Sequence, residues 1–170
     1  MAQSTYLSAV NQKCLFAAQL LASVNEKNSH QTIAVVQSVA LQLSQAWHWH
    51  LCDIASSYKV PEPQGITDAH SLLQVLEAQG KCPAEAQEVG ALEADGSSWA
   101  AQLLAAHGQL YQLPHIRKAE MDADRLPIIA LDSLAADGQA QVEWRLEDAQ
   151  LWLDKISELV ERHRDMMVEF

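Results

Sequence analysis

The chain is poor in the residues that break regular structure, with only 6 Gly and 5 Pro among 170 residues. This scarcity excludes collagen-like and linker-dominated chains. Hydrophobic residues make up 49% of the chain and charged residues 19%, so disorder is disfavoured because a core of ordinary size can be buried. We therefore expect residues 1–170 to form a single helical domain.

Basic residues are also scarce. The chain has 11 Lys and Arg against 22 Asp and Glu, a formal net charge of -11. This balance repels the phosphate groups of nucleic acids and of anionic membranes, so neither is expected as a partner. No Lys or Arg occurs between Lys81 and Arg117. Two interpretations of the acidic segment 82–95 stay open: an ordinary solvated face, or a docking surface for a basic protein partner.

Long hydrophobic runs and paired cysteines are lacking as well. No apolar run approaches the roughly 18 residues that a membrane span needs, and the first residues lack the pattern of a secretory signal. The three cysteines, Cys14, Cys52 and Cys82, are odd in number and widely spaced, which is typical of free thiols in a reducing compartment. We expect a cytoplasmic protein.

Apolar residues, in contrast, are abundant and recur at steps of three and four, the period of an amphipathic helix. This period predicts helices over about 4–25, 29–58, 67–80, 98–113 and 147–167, and a short or imperfect helix over 83–95. The predicted N-caps are Asn28 or Ser29, Thr67, and Ser97 or Ser98. The fold class is therefore mainly α, a helical bundle of about five or six helices.

One stretch departs from helical spacing. Residues 128–131 are compact and β-prone, residues 140–145 alternate apolar and polar side chains, and Asp137-Gly138 between them is a strong turn signal. We predict a small β-hairpin over about 128–145, directly before the C-terminal helix. An irregular loop is the alternative.

The second predicted helix has more apolar residues than one stripe can hold. Val35, Val39, Trp49 and Leu51 lie beside the main stripe. Two interpretations are open: an interface of a homodimer, or burial against neighbouring helices of the same chain.

The segment 47–53 concentrates side chains that can bind metals. On a helix, His48 and Cys52 share one face, and His50 and Asp53 share another, so each pair could supply two ligands to a divalent ion. A complete site needs further ligands, and none stands at a recognised spacing. We therefore assign no metal ligands and no cofactor.

The same segment suggests a binding pocket. Its candidate residues are Trp47, His48 and Cys52, together with His107 from a later helix. The alternative interpretation is that Trp47 packs in the core and His48 lies at the core margin.

Signatures of common enzyme classes are lacking. The chain has no Glu-x-x-His pair of di-iron bundles, no His-Glu-x-x-His of zinc proteases, no phosphate-binding glycine loop and no Gly-x-Ser-x-Gly elbow. The leading hypothesis is thus a non-catalytic cytosolic interaction or scaffold protein. A small-molecule or metal-binding helical bundle comes second and an enzyme third.

Several packing motifs are spread along the chain: Asn11-Gln12-Lys13 with Phe16-Ala17, Leu51-Cys52 with Ile54, Tyr58-Lys59 before Pro61, Trp99 to His107, the apolar residues 128–131, and Trp152 and Arg162 in the last helix. Together they resemble a family of small uncharacterised bacterial proteins of the pseudomonad type, with a domain of unknown function. The resemblance implies a fold and a bacterial cytosol, and it carries no catalytic residue over to this chain.

Overall fold

The computed structural model describes residues 5–25, 28–113 and 143–167, and these residues form six α-helices and one short 3-10 helix. The elements are α1 (Tyr6–Ala22), α2 (Ser29–Ser57), the 3-10 helix (Pro63–Gly65), α3 (Ala69–Ala78), α4 (Ala84–Ala94), α5 (Trp99–Gln109) and α6 (Leu146–Met167). The predicted mainly helical class is confirmed.

The predicted β-hairpin is not supported, since no strand occurs in any of the described ranges. Residues 128–142 of that prediction lie outside these ranges. Residues 143–145 lie within them, and the strand prediction is wrong there. The N–H of Arg145 donates to the Glu143 carbonyl at 2.9 Å, which is a tight local turn leading into α6 and not a ladder bond.

Short polar side chains fix where the helices begin. Asn28 accepts from the Gln31 N–H at 3.2 Å, and Ser98 caps α5 in the same way, so both predicted caps are confirmed. The Thr67 prediction is wrong by one residue. Asp68 caps α3, because its carboxylate accepts the Ser71 N–H at 2.7 Å in a reciprocal capping box.

Helix α2 organises the bundle. It has 29 residues, about 43 Å at a rise of 1.5 Å per residue, and it packs against each of the other five α-helices. Helix α1 runs antiparallel to it, since the Leu7 N–H donates to Asp53 near one end while the Gln31 side chain donates to the Ser23 carbonyl near the other. All further elements are positioned relative to this pair.

The second apolar stripe of α2 is buried within the chain. Val35, Val39 and Leu51 belong to the core, and the half-buried Trp49 stacks on Tyr6 of α1. Burial against neighbouring helices therefore accounts for this stripe. The core is completed by the largest fully buried side chains of the other helices: Trp152, Leu72, Leu76, Leu103 and Ile156.

The chain reverses sharply between α2 and α3. Lys59 and Glu62 adopt positive φ angles of 59° and 53°, a conformation that disfavours residues with a Cβ by roughly 1 kcal/mol each. The reversal brings the N-terminus of α3 back toward the middle of α2. It thereby forms one end of the cleft described next.

Candidate functional site

A cleft of about 770 Å³ opens beside the second half of α2. Its lining comes from four helices and from the turn that leads into α3: Ala9, Gln12 and Lys13 of α1, Ser44, Gln45, Trp47, His48 and Trp49 of α2, Thr67 and Asp68 before α3, Glu93 of α4, and Leu104 and His107 of α5. The cleft therefore exists only because distant segments pack together.

The carboxylate of Glu93 holds one wall of the cleft. Its Oε1 accepts a hydrogen bond from Trp47 Nε1 at 2.6 Å, and its Oε2 accepts one from the Ala69 N–H at 2.9 Å. The second bond places negative charge at the N-terminus of α3, where the helix dipole favours it. Trp47 also meets Trp99 edge to face at 5.6 Å, so its ring is fixed by both polar and aromatic contacts.

Aromatic and imidazole rings form the α2 wall. Trp49 is half-buried and stacks on Tyr6 with ring centroids 6.0 Å apart, and the His48 ring tilts against Trp49 at 4.9 Å. On α5, His107 contacts Tyr111 edge to face at 5.4 Å. These walls offer flat apolar surface with few polar atoms, the usual lining of a small-molecule site.

The charged groups of the cleft differ in the hydrogen-bond and ion-pair partners that they have within the chain. Each oxygen of the Glu93 carboxylate accepts one of the bonds given above. The Asp68 carboxylate accepts from the Ser71 N–H and, at 3.3 Å, from the Thr67 hydroxyl, and these hydrogen bonds lower its pKa. Lys13 is different, since it forms no ion pair with a described residue, and its Nζ lies 6.0 Å from the centroid of the Phe16 ring.

A second polar cluster crosses the core between α2, α6 and α4. His50 Nε2 lies 2.9 Å from His163 Nδ1, and His163 Nε2 lies 2.9 Å from Glu88 Oε2. The other Glu88 oxygen pairs with the Arg162 guanidinium at the surface. Both histidines have no exposed surface. The row of hydrogen bonds from His50 through His163 to Glu88 and Arg162 therefore runs from the interior to the surface.

One hydrogen-bond role in this row follows from its outer end. A carboxylate only accepts, so His163 Nε2 donates to Glu88. Of His50 Nε2 and His163 Nδ1, one donates to the other, and the tautomers decide which. His50 Nδ1, at the inner end of these hydrogen bonds, has no partner among the described residues. Burial, and then the charge of His163, lowers the pKa of His50 to about 3, so His50 is neutral near pH 7.

The sequence of the chain matches a known family along nearly its whole length. The sequence model of DUF6586, a family of unknown function, matches residues 1–169. The chain belongs to DUF6586. The matched range includes all six helices described above, and it confirms the resemblance to a family without an assigned function. No curated protein and no solved structure gives a significant match to this DUF6586 chain.

The structure brings together three of the four pocket residues predicted from the sequence. Trp47, His48 and His107 all line the cleft of the DUF6586 protein. Cys52 does not, because it lies one helical turn beyond His48 and is fully buried, with its Sγ 3.8 Å from His48 Nε2. Burial, with a further contribution from Asp53, raises the pKa of the Cys52 thiol to about 11. The thiol is therefore protonated and packs as a small apolar group.

Lys13 and Glu93 were not predicted as cleft residues. Each lies on a helix remote in sequence from 47–53, and the motif that contains Lys13, Asn11-Gln12-Lys13, is a packing pattern without a functional assignment. A signal was present for Glu93, since an acid four helical residues after the apolar Val89 faces the same side of its helix. No comparable signal marks Lys13.

The acidic segment 82–95 uses its carboxylates within the chain. Glu85 is buried and accepts from the Tyr58 hydroxyl at 3.2 Å, while Glu88 and Glu93 bind the groups described above. Asp95 is exposed and binds Ser97 beside it. Each carboxylate of this segment thus has a partner within the chain, and the docking surface for a basic protein stays a prediction.

Across residues 5–25, 28–113 and 143–167, no three His, Cys, Asp or Glu side chains are grouped as they would be around a metal ion. Nor does any helix there combine the length and apolar character required to span a bilayer.

Proposed function

We propose that this chain is a non-catalytic cytosolic binding protein whose ligand, a small organic molecule, occupies the cleft beside α2. The observation that carries the proposal is the cleft itself. Its volume of about 770 Å³ falls within the range of roughly 300–1,000 Å³ found for small-molecule sites, and a few polar groups converge on an aromatic wall. Free thiols at all three cysteines support the reducing compartment.

Binding without catalysis is favoured by the state of the polar groups. The Ser44 hydroxyl donates to the Leu41 carbonyl at 3.0 Å, and the Thr67 hydroxyl belongs to the cap of α3. The one hydrogen-bond partner of His48 among the described residues is the protonated Cys52 thiol. Within the cleft as described, these groups supply no nucleophile paired with a base, which hydrolytic and transfer enzymes require.

The cleft also presents a fixed surface. Glu93 ties Trp47 to α3, and Tyr6 supports Trp49, so both tryptophans are held in place before a ligand arrives. A preorganised site binds better because less ordering has to accompany association. This feature distinguishes the cleft from a chance surface depression.

A fragment library screened by ligand-observed NMR tests the proposal. We expect hits that bind one molecule per chain and that lose binding in Ala9→Phe, because a phenylalanine ring at this lining position fills the cleft. Ala18→Phe, at an exposed position on the same helix, is the matched control and should keep the hits. Absence of hits, or hits that Ala9→Phe does not affect, would contradict the proposal.

Self-association is the second candidate, and it is favoured by exposed apolar side chains on the α1–α2 pair. Leu15, Phe16 and Ile33 are 55%, 39% and 40% exposed. If they form a homodimer interface, light scattering should give twice the chain mass of 18.8 kDa, and Leu15→Gln with Phe16→Gln should return it to 18.8 kDa. Leu151→Gln on α6 is the control, and a native chain that stays at 18.8 kDa at high concentration excludes this candidate.

A further inference from the structure

The α1 wall of the cleft carries an ammonium group without a counter-charge. Lys13 is half-buried, and in the described part of the chain no carboxylate lies within ion-pair distance of its Nζ. Among the described residues, its Nζ faces the ring of Phe16, 6.0 Å from the centroid. In a chain with twice as many acids as bases, an unpaired ammonium in a cleft is unexpected, and it keeps three hydrogen-bond donors for a ligand.

The two carboxylates of the cleft do not take this role. Asp68 and Glu93 belong to the walls formed by α3 and α4, whereas α1 packs against α2 and α6. All four carboxylate oxygens already accept hydrogen bonds from the chain, and three of those donors are backbone or indole N–H groups. The N-terminus of α3 offsets part of their negative charge, while no described carboxylate forms an ion pair with Lys13.

The register of the two long helices places Lys13 beside the aromatic wall. Leu7 meets Asp53, and the helices are antiparallel. Lys13, six residues after Leu7, therefore lies level with Trp47, six residues before Asp53. His48 is the next residue on α2. No hydrogen bond joins its Nδ1 to a described residue. If the anionic group of a ligand pairs with Lys13, the rest of that ligand therefore lies against the α2 wall.

We propose that the cleft ligand is a small organic acid, an apolar ring system with one carboxylate-like anion. This inference rests on the proposed binding function and adds the sign of the ligand's charge, called its charge class below. The Lys13 ammonium binds the anion, and the ring system packs along Trp49 and Leu104. Binding pairs the half-buried Lys13 ammonium with a counter-ion. It also removes the apolar surface of the cleft wall from contact with water.

Three compounds with the same apolar body test the charge class by isothermal titration calorimetry: naphthalene carboxylate, naphthalene carboxamide and naphthylmethylammonium. We expect the carboxylate to bind about tenfold tighter than the carboxamide, the effect of one charge-assisted hydrogen bond. Lys13→Gln should remove this preference and Lys13→Arg should keep it. Lys155→Gln, an exposed lysine on α6, is the control and should change nothing.

The outcomes separate this inference from the proposed function. If the carboxylate does not bind, or binds no tighter than the carboxamide, or keeps its advantage in Lys13→Gln, the charge class is overturned. Cleft-binding hits of other charge in the fragment screen would then leave the binding function standing. If no fragment binds in the cleft, both fail.

Discussion

Replacing His163 by alanine should lower the free energy of unfolding by about 3 kcal/mol. The side chain is fully buried and links His50 to Glu88 with two hydrogen bonds of 2.9 Å. Its removal leaves a cavity. Among the described residues, His50 then has no hydrogen-bond partner, and Arg162 is the remaining partner of Glu88. The loss thus combines a packing effect with an unsatisfied polar group.

Urea denaturation near neutral pH measures this loss. His30→Ala, an exposed position in the first turn of α2, is the matched control and should change the unfolding free energy by less than about 0.5 kcal/mol. The double variant His50→Leu with His163→Leu should be less destabilised than His163→Ala, because replacing both partners leaves neither imidazole unpaired. A loss below about 1 kcal/mol for His163→Ala would show that the row does not stabilise the fold.

Stability should fall as the solution is acidified from about pH 6.5 toward pH 3. His50 has a pKa of about 3 in the folded chain and an ordinary value near 6.5 when unfolded, so between these values the unfolded chain binds more protons. Its contribution is fully present above about pH 6.5. It is lost at up to about 1.4 kcal/mol per pH unit as pH falls toward the folded value. The groups that face His50 are His163 and, behind it, Glu88 and Arg162.

Urea titrations between about pH 7 and 4.5 isolate this effect from the carboxylates with lowered pKa values, Asp68, Asp95 and Glu158, which are protonated in more acidic solution. The raised pKa of Asp53 acts with the opposite sign, so the informative quantity is the difference from His50→Leu. That variant should show a flatter dependence on pH. Equal slopes for the two chains would contradict a neutral, buried His50.

Much of the fold could be predicted because helix signals are local. Asn28 and Ser98 cap the nearest backbone N–H groups, and the apolar period of α2 and α6 follows from burial on one side. Helix α4 was predicted only as short or imperfect, since its segment is rich in Ala and Glu and weakly apolar. The structure has a regular helix over Ala84–Ala94, because tertiary partners satisfy the Glu85 and Glu88 carboxylates.

The candidate site could be predicted only where its residues are neighbours in sequence. Trp47 and His48 belong to one segment, and periodicity alone does not distinguish the wall of a cleft from the buried position of Cys52 one turn later. The pairing of His50 with His163 joins residues 113 positions apart. Its signal was a histidine on the apolar face of each helix, which indicates a buried partner but not which one.

The central claim, that the cleft beside α2 is the ligand site, is tested most directly by the indole N–H resonances of the protein in a nitrogen-15 NMR spectrum. Each naphthalene compound is titrated in turn. We expect the Trp47 and Trp49 indole signals to move and to saturate with at least one of the three compounds. The indole signal of Trp152, which is buried in the core away from the cleft lining, should stay unchanged. Signals of Trp47 and Trp49 that stay fixed throughout all three titrations would contradict the central claim.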